Sequence, residues 1–160
     1  YLLRQCNGAA RADELFQDVW MNVIRVRATY RPTAKFTTWL YTLARNRLVD
    51  HWRTNGQASL VSIDDDDEST RDTVNEIPGA RSDQPDVRTE ARALGARLRA
   101  ALSALPAGQR DAFLLHQEAG LALADIAAMT GVGLETVKSR LRYALAKLRN
   151  ELADWREDAT

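Results

Sequence analysis

Apolar residues between Arg11 and Arg27 recur at intervals of three and four positions. That spacing predicts an amphipathic helix, which ends before or at Pro32 and leaves residues 28–36 as a basic loop. The positions that define the apolar stripe are Leu15, Phe16, Val19, Val23, Ile24 and Val26.

A second helix is predicted from about Phe36 to Arg53, and at about 100° per residue its side chains fall into two arcs. The arc expected to face a core holds Phe36, Leu40, Tyr41, Leu43, Ala44, Leu48 and Trp52. The other arc holds Thr38, Thr42, Arg45, Asn46, Asp50 and Arg53, together with Trp39. An indole among polar residues is unusual and marks Trp39 as a candidate contact residue.

The apolar periodicity stops in residues 57–88, which include a run of four aspartates and two prolines. Such a composition cannot bury enough surface to offset the entropy of ordering, so a linker is predicted. Four helices are expected after it, at about Val87 to Leu105, Gly108 to Glu118, Leu123 to Met129 and Leu134 to Trp155. The sequence therefore predicts an all-α protein with two small helical domains, residues 1–56 and 89–160, joined by an acidic linker.

Near the end of the chain, Ala127, Gly131 and Val137 have the spacing of a helix-turn-helix. The small alanine allows two helices to approach, the glycine makes the turn, and the valine fills the wedge between the helices together with Ile126 and Leu141. On the last helix the apolar arc holds Val137, Leu141, Ala144, Leu145 and Leu148. The opposite arc holds Glu135, Thr136, Lys138, Ser139, Arg140, Arg142, Tyr143, Lys147 and Arg149.

Five of the residues between Thr136 and Arg149 are lysine or arginine, and none is acidic. A solvated face of an ordinary bundle helix is one interpretation, but ion pairs within this stretch cannot explain an all-positive face. Binding to DNA explains an all-positive face, because early residues of a recognition helix reach base edges while later basic residues contact phosphates. The expected base contacts are Thr136, Lys138, Ser139, Arg140, Arg142 and Tyr143.

Composition excludes several other functions. The formal net charge is zero, yet it conceals basic ends and an acidic middle, so a uniform polycation is excluded. Cys6 is the single cysteine, which favours a reducing, cytoplasmic setting without disulfides or a cysteine-bound metal. No apolar run has membrane-spanning length. His51 and His116 are isolated and no phosphate loop follows a strand, so no enzyme, cofactor or metal site is predicted.

At this point the segment "LSALPAGQRDAFLLHQEAGLALADIAAMTGVGLETVKSRLRYALAKLR" closely resembles region 4 of the sigma-70 family of transcription initiation factors. "ADELFQDVW" and "KFTTWLYTLARNRLVDHWR" resemble region 2, whose first helix is largely missing before Tyr1. Two such motifs in this order, separated by an acidic linker, resemble the extracytoplasmic-function (ECF) sigma factors. The resemblance implies a non-catalytic subunit of bacterial RNA polymerase that reads promoters.

By position, the resemblance implies that region 2 opens the −10 element and that region 4 binds the −35 element. The loop from Tyr30 to Phe36 corresponds to the loop that captures a flipped base. The residues implied in −10 binding are Tyr30, Lys35, Trp39, Arg45, Asn46, Asp50 and Arg53. Arg47 is also expected to hold the DNA backbone. Contacts with the polymerase core, whose clamp helices and flap bind the family, are implied for Asp13, Glu14 and Gln17.

Three alternatives stay open on sequence alone. Trp39 either stacks on an unpaired base or packs within the fold. The linker is either a solvated spacer or a segment that threads the basic channels of the polymerase. The whole chain could be a helix-turn-helix regulator of the response-regulator or quorum-sensing type, although no upstream βαβ pattern supports that. The resemblance further implies an anti-sigma protein that wedges between the two domains.

Overall fold

The computed structural model describes residues 1–6, 8–33, 35–55 and 87–158, with the side chains of residues 87–90 and 154–158 left aside. Within these ranges the regular structure is helical: α1 (Leu2–Gln5), α2 (Ala9–Val26), α3 (Phe36–Thr54), α4 (Val87–Ser103), α5 (Ala107–Gln117), α6 (Leu123–Thr130) and α7 (Leu134–Asp158), with a 3-10 turn at Arg27–Thr29. The all-α prediction is confirmed. The predicted linker, apart from the first residues of α4, lies outside the described ranges.

The first half of the chain packs α1, α2 and α3 around one core. Its buried residues are Leu2, Ala12, Leu15, Val19, Ala44, Leu48 and Trp52. The 3.6-residue period explains why Ala12, Leu15 and Val19 share one side of α2 and why Ala44 and Leu48 face them from α3. Helix α1 was not predicted, because four residues carry too little periodicity to be recognised.

One predicted core position, Phe36, is wrong, and two positions of the apolar stripe predicted for α2 are exposed. Phe16 and Ile24 on α2 are 54% and 52% exposed, and Phe36 at the start of α3 is 46% exposed. Their spacing suited a core face, but around α2 Ile24 lies about 180° and Phe16 about 100° from Leu15, outside the buried side of the helix. Position on the helix, and not hydrophobicity, decided which apolar residues became buried.

The second half buries two adjoining clusters, one between α4, α5 and α7 and one inside the helix-turn-helix. The break between α4 and α5 is closed by Arg110, whose guanidinium donates hydrogen bonds to the backbone oxygens of Ser103 and Leu105 at 3.1 and 3.0 Å. The Ser103 carbonyl is one that the last turn of α4 leaves without a partner inside the helix, and the Leu105 carbonyl lies in the turn that follows. Burial lowers the pKa of Arg110, although the neighbouring Asp111 carboxylate opposes this shift.

No helix in the described ranges is both long and apolar enough to cross a bilayer. Cys6 is a free, half-buried thiol, and burial raises its pKa. A raised pKa leaves less reactive thiolate at neutral pH. Cys6 is therefore a weak nucleophile in this environment.

Candidate nucleic-acid interface

The helix-turn-helix consists of α6 and α7, joined at Gly131. Gly131 has φ of 74°, in the left-handed region, and its N–H donates to the Ala127 oxygen at 2.9 Å. This backbone conformation ends α6 and turns the chain into α7. Ile126 is fully buried and Val137 is 1% exposed in the wedge between the two helices, and burying each contributes roughly 1.5–3 kcal/mol. The predicted roles of Ile126, Gly131 and Val137 are confirmed.

Gly131→Ala is expected to lower the free energy of unfolding by about 1 kcal/mol, because a Cβ strains the left-handed conformation. Urea unfolding followed by circular dichroism measures this change. Gly95→Ala is the control of opposite sign: Gly95 lies inside α4 without a positive φ, and its added Cβ would meet only the Arg99 guanidinium at 3.5 Å. Alanine there should stabilise the helix by up to about 1 kcal/mol. Equal effects of the two substitutions would refute the backbone argument.

The two arcs of α7 separate as predicted. Val137, Leu141, Ala144 and Leu148 are buried, whereas the side with Lys138, Arg142, Tyr143, Lys147 and Arg149 is exposed. An open depression at the start of the helix brings together Glu135, Thr136, Lys138, Ser139 and Arg142. Four of the six residues expected at base edges therefore share one surface.

Two further residues of the expected −35 set occupy different environments. Tyr143 is 52% exposed, and the Arg142 guanidinium carbon lies 5.3 Å from its ring centroid, so the tyrosine supports the arginine through a cation–π contact. Arg140 turns toward α5, where a Cβ built on Gly108 would lie 3.0 Å from the guanidinium carbon. The absence of a side chain at Gly108 gives Arg140 its position against the first turn of α5.

Glu135 was recognised on the polar arc but not among the base contacts. Its Oε1 lies 2.7 Å from Lys138 Nζ, and both side chains are largely exposed. A carboxylate at the edge of a recognition surface can accept a hydrogen bond from the cytosine amino group. In the sequence, the position of Glu135 one turn before Lys138 and Ser139 indicated that it borders the same surface.

At the other candidate surface, three aromatic rings pack together where the basic loop meets α3. Tyr30 lies 4.9 Å from Trp39 and 5.9 Å from Phe36, and Phe36 lies 5.6 Å from Trp39, measured between ring centroids. We call these three residues the aromatic platform. Phe36 was expected in the core, and its place in the platform is the correction that the structure makes. Lys35, next to it, is exposed.

Asn46, Asp50 and Arg53 are exposed on α3, within about 60° of Trp39 around the helix axis. The structure therefore brings the aromatic platform and the polar residues expected at the −10 element onto one side of α3. The described part of the chain has no group of three or more His, Cys, Asp or Glu side chains that could hold a metal ion.

Arg45 and Arg47 do not lie on this surface, contrary to expectation. Arg45 lies about 100° around α3 from Asn46, and its Nε donates to the Asp111 carboxylate at 2.7 Å. Arg47 donates to Asp18 on α2 at 2.9 and 2.6 Å. Both had been grouped with the DNA-facing side chains because they are basic, but their partners are acidic residues far away in the sequence. In this arrangement neither guanidinium is turned toward the expected DNA surface.

The two histidines have local partners. His116 Nδ1 lies 2.9 Å from the Leu121 oxygen, and His51 Nε2 lies 2.9 Å from Asn55 Nδ2. Burial, followed by the nearby Arg11 and Arg47 charges, lowers the pKa of His51. The lowered pKa favours the neutral form of the His51 ring.

The third group of expected contacts, on α2, lies beside an exposed apolar stripe. Asp13, Glu14 and Gln17 are exposed. Phe16, Trp20, Met21 and Ile24 are exposed on the same side of the helix. We call these four residues the α2 stripe. Sequence reasoning missed Trp20 and Met21, although their spacing from Asp13 and Gln17 places them on one face.

A helix-turn-helix with an exposed basic face, preceded by helices that present aromatic and polar residues on one side, is typical of a DNA-binding transcription factor. Family models agree: residues 1–58 match sigma-70 region 2 and residues 95–148 match sigma-70 region 4. The chain is 32% identical over 154 residues to the ECF RNA polymerase sigma factor RpoE of Cereibacter sphaeroides, covering 96% of this chain and 78% of that relative.

Other relatives are consistent with this match. The ECF RNA polymerase sigma factor EcfG of Rhodopseudomonas palustris is 30% identical over 141 residues, covering 88% of this chain and 71% of the relative. The sigma factor RpoE of Bartonella quintana, solved with the anti-sigma factor NepR, superposes with a TM-score of 0.68 at 24% identity, covering 95% of this chain and 87% of that one. The chain belongs to the ECF group of sigma-70 family RNA polymerase sigma factors.

The regulator of the response-regulator or quorum-sensing type is not favoured by these matches. The helix-turn-helix of such a regulator would account only for the match to sigma-70 region 4. It would not account for residues 1–58, which match sigma-70 region 2.

Proposed function

We propose that this chain binds the core of bacterial RNA polymerase and directs it to promoters, reading the −10 element with α3 and the preceding loop and the −35 element with α7. The observation that carries the proposal is the exposed basic side of α7 in a helix-turn-helix whose opposite side is buried. The chain acts by binding and not by catalysis, and it works in the cytoplasm, where the polymerase meets DNA.

At the −35 element, the depression at the start of α7 contacts base edges in the major groove. Thr136, Lys138, Ser139 and Arg142 line it, so hydrogen-bond donors stand where a recognition helix meets bases. Tyr143 lies beneath Arg142, and Arg140, held over Gly108, faces the phosphates that flank the site. Lys147 and Arg149 extend the positive charge along the DNA backbone.

At the −10 element, binding energy opens the duplex. Unstacking a base costs a few kcal/mol, roughly, and a pocket that holds the flipped base offsets this cost. The aromatic platform supplies faces on which unpaired bases stack, worth about 1–3 kcal/mol per base. Asn46 and Asp50 supply hydrogen-bonding groups beside it, while Lys35 and Arg53 neutralise phosphates.

The polymerase core docks on α2. Asp13, Glu14 and Gln17 lie on the same side of α2 as the α2 stripe, and such a combination of large apolar side chains with polar ones occurs at protein interfaces. Exposed large apolar side chains that lie together indicate an interaction surface. The core polymerase fits this surface because it adjoins the residues that the family resemblance assigns to that contact.

An anti-sigma protein is a further proposed partner. One structural neighbour is the sigma factor RpoE solved with the anti-sigma factor NepR, and another is CnrH solved with the cytosolic domain of CnrY. Both share the fold of this chain, with TM-scores of 0.68 and 0.61. A protein of this kind would cover the surfaces that otherwise bind polymerase.

In vitro transcription with purified core polymerase and a promoter library tests the proposal. Adding the chain should produce start sites that share a −10 and a −35 sequence and that core polymerase alone does not use. A library that gives the same transcripts with and without the chain would overturn the proposed function.

A further inference from the structure

Glu135 places a negative charge on the side of α7 that is otherwise basic. It belongs to the first turn of the helix, and around the helix axis it lies about 180° from the buried Ala144. Its side chain therefore points away from the core. Residues 136–149 contain no acidic side chain. A surface that served only to attract phosphates would bind DNA more strongly without the Glu135 carboxylate.

Glu135 is aligned with residues that are expected to read bases. At about 100° per residue, Lys138, Ser139 and Arg142 all lie within about 60° of it around the axis of α7. These residues share one open depression with Glu135. A recognition helix brings the side chains of its N-terminal turns to base edges. DNA that contacts Ser139 and Arg142 must therefore also accommodate the carboxylate of Glu135.

Two interactions favour the carboxylate in this position. Lys138 Nζ donates a hydrogen bond to Glu135 Oε1 at 2.7 Å, and the helix dipole favours negative charge in the first turn. The side chains are 85% exposed for Glu135 and 49% exposed for Lys138, so a ligand reaches both directly. A carboxylate accepts several hydrogen bonds and an ammonium group donates three. The pair therefore has an acceptor and a donor to offer to a base pair while its own contact stays intact.

The spacing of this pair matches one base pair in the major groove. There guanine O6 is an acceptor and cytosine N4 a donor, and because the two atoms are hydrogen-bonded to each other they lie roughly 2.9 Å apart. Glu135 Oε1 and Lys138 Nζ are 2.7 Å apart and present the complementary groups. The amino groups of cytosine and adenine are the donors of the major groove, whereas guanine and thymine present acceptors. At a guanine or thymine edge the carboxylate is left without a donor.

We propose that Glu135 is a specificity determinant for the −35 element: its carboxylate accepts a hydrogen bond from the amino group of a cytosine, while Lys138 donates to the guanine of the same pair. This inference rests on the proposed function, because that function assigns α7 to the −35 element. Glu135 selects by rejection, since a carboxylate that loses water and meets only acceptors is destabilising. The basic residues of α7 supply affinity, and Glu135 restricts the sequences to which that affinity applies.

Glu135→Gln tests this role in the holoenzyme. Glutamine keeps the length of the side chain but carries a donor beside its oxygen, so it accommodates base acceptors as well as base donors. Core polymerase with the parent chain first selects a preferred promoter from a library randomised at the −35 element. Binding to all single-pair variants of that promoter is then compared. The preference for one G·C pair should fall about tenfold in Glu135→Gln, mainly because binding to the replaced sequences improves.

A base analogue tests the contact at the level of one functional group. In the preferred promoter, the cytosine of that pair is replaced by a pyrimidinone that lacks the exocyclic amino group. Binding of the parent holoenzyme should weaken about tenfold, and binding of the Glu135→Gln holoenzyme by less than about threefold. Because the analogue weakens base pairing equally in both cases, the ratio of the two losses isolates the contact between carboxylate and amino group. Equal losses would rule out this contact.

Glu151→Gln is the matched control. Glu151 is exposed on the same helix, about 24 Å further along the axis, and the substitution removes the same charge. It should change binding to every promoter by one common factor and leave the preference at each pair as it is in the parent. Circular dichroism checks that both variants retain their helices.

Two results would contradict the role of Glu135. A uniform change of the kind expected for Glu151→Gln would mean that Glu135 acts only through its net charge or through the stability of α7. A loss of preference at an A·T pair in place of a G·C pair would overturn the assignment to cytosine.

A failure of the proposed function gives a different result. In that case the parent holoenzyme would select no shared −35 sequence from the library. If the parent selects one and Glu135→Gln retains the same preference at every pair, the proposed function stands and the role of Glu135 is wrong.

Discussion

Replacing Arg142 with alanine is expected to weaken binding of a −35 duplex by about 1–3 kcal/mol and to relax the preference at one base pair. Arg142 is exposed in the depression at the start of α7, and the Tyr143 ring holds its guanidinium from one side. A pre-positioned arginine loses less side-chain entropy on contact, so its removal costs more than that of a free surface charge. Fluorescence anisotropy with a set of single-substitution duplexes measures both effects.

Arg149→Ala is the control for this prediction. Arg149 is exposed on the same helix about two turns further on, where we expect it to contact the phosphate backbone. Loss of the Arg149 side chain should weaken binding to every duplex about equally. It should also reduce the slope of log K against log salt concentration by about 1. If Arg142→Ala shows the same uniform loss, Arg142 contacts backbone and the assignment to a base edge is wrong.

Replacing Asn46 with alanine should impair strand opening while leaving −35 binding intact. Asn46 is exposed on the side of α3 that also presents the aromatic platform. Loss of the groups that hold a flipped base removes about 1–3 kcal/mol from the open complex, or about a 5- to 150-fold shift in its equilibrium. Permanganate reactivity of unpaired thymines at the −10 element measures the open fraction.

Asn55→Ala is the comparison for Asn46. Asn55 caps the end of α3, and its side chain contacts His51. The Asn55→Ala chain should melt promoters as the parent does, since Asn55 lies more than two turns beyond Asn46. An Asn46→Ala chain that opens promoters normally would remove this residue from the base-capture surface and shift the role to Asp50 or the aromatic platform.

The sequence predicted the helices and the recognition face because both depend on local patterns. In α7 an unbroken apolar arc faces an unbroken polar one, so the period alone separates Val137, Leu141 and Ala144 from the exposed side. The role of Gly131 was also predictable from the sequence, since a turn between two helices needs the left-handed conformation that glycine adopts readily. These features are encoded within a few residues of where they appear.

The errors arose where the outcome depends on residues far away in the chain. Phe16 and Phe36 follow an apolar period, but only the packing of α2 on α3 decides that they face outward. Arg45 was read as a DNA contact because it is basic, whereas its partner Asp111 is 66 positions away. A single sequence does not indicate which of its carboxylates will meet which guanidinium, because that pairing is a product of the tertiary fold.

The contact between Gly108 and Arg140 affects how this module could be engineered. With a Cβ at position 108 only 3.0 Å from the Arg140 guanidinium, a larger side chain on α5 would redirect an arginine on α7. A chimera made by grafting α7 alone onto another scaffold would keep the amino-acid sequence of the recognition helix. It would lose the contact with α5 that positions the Arg140 side chain. The smallest transferable unit for altering sequence preference is therefore the segment from α5 to α7, including α6, with Gly108 retained.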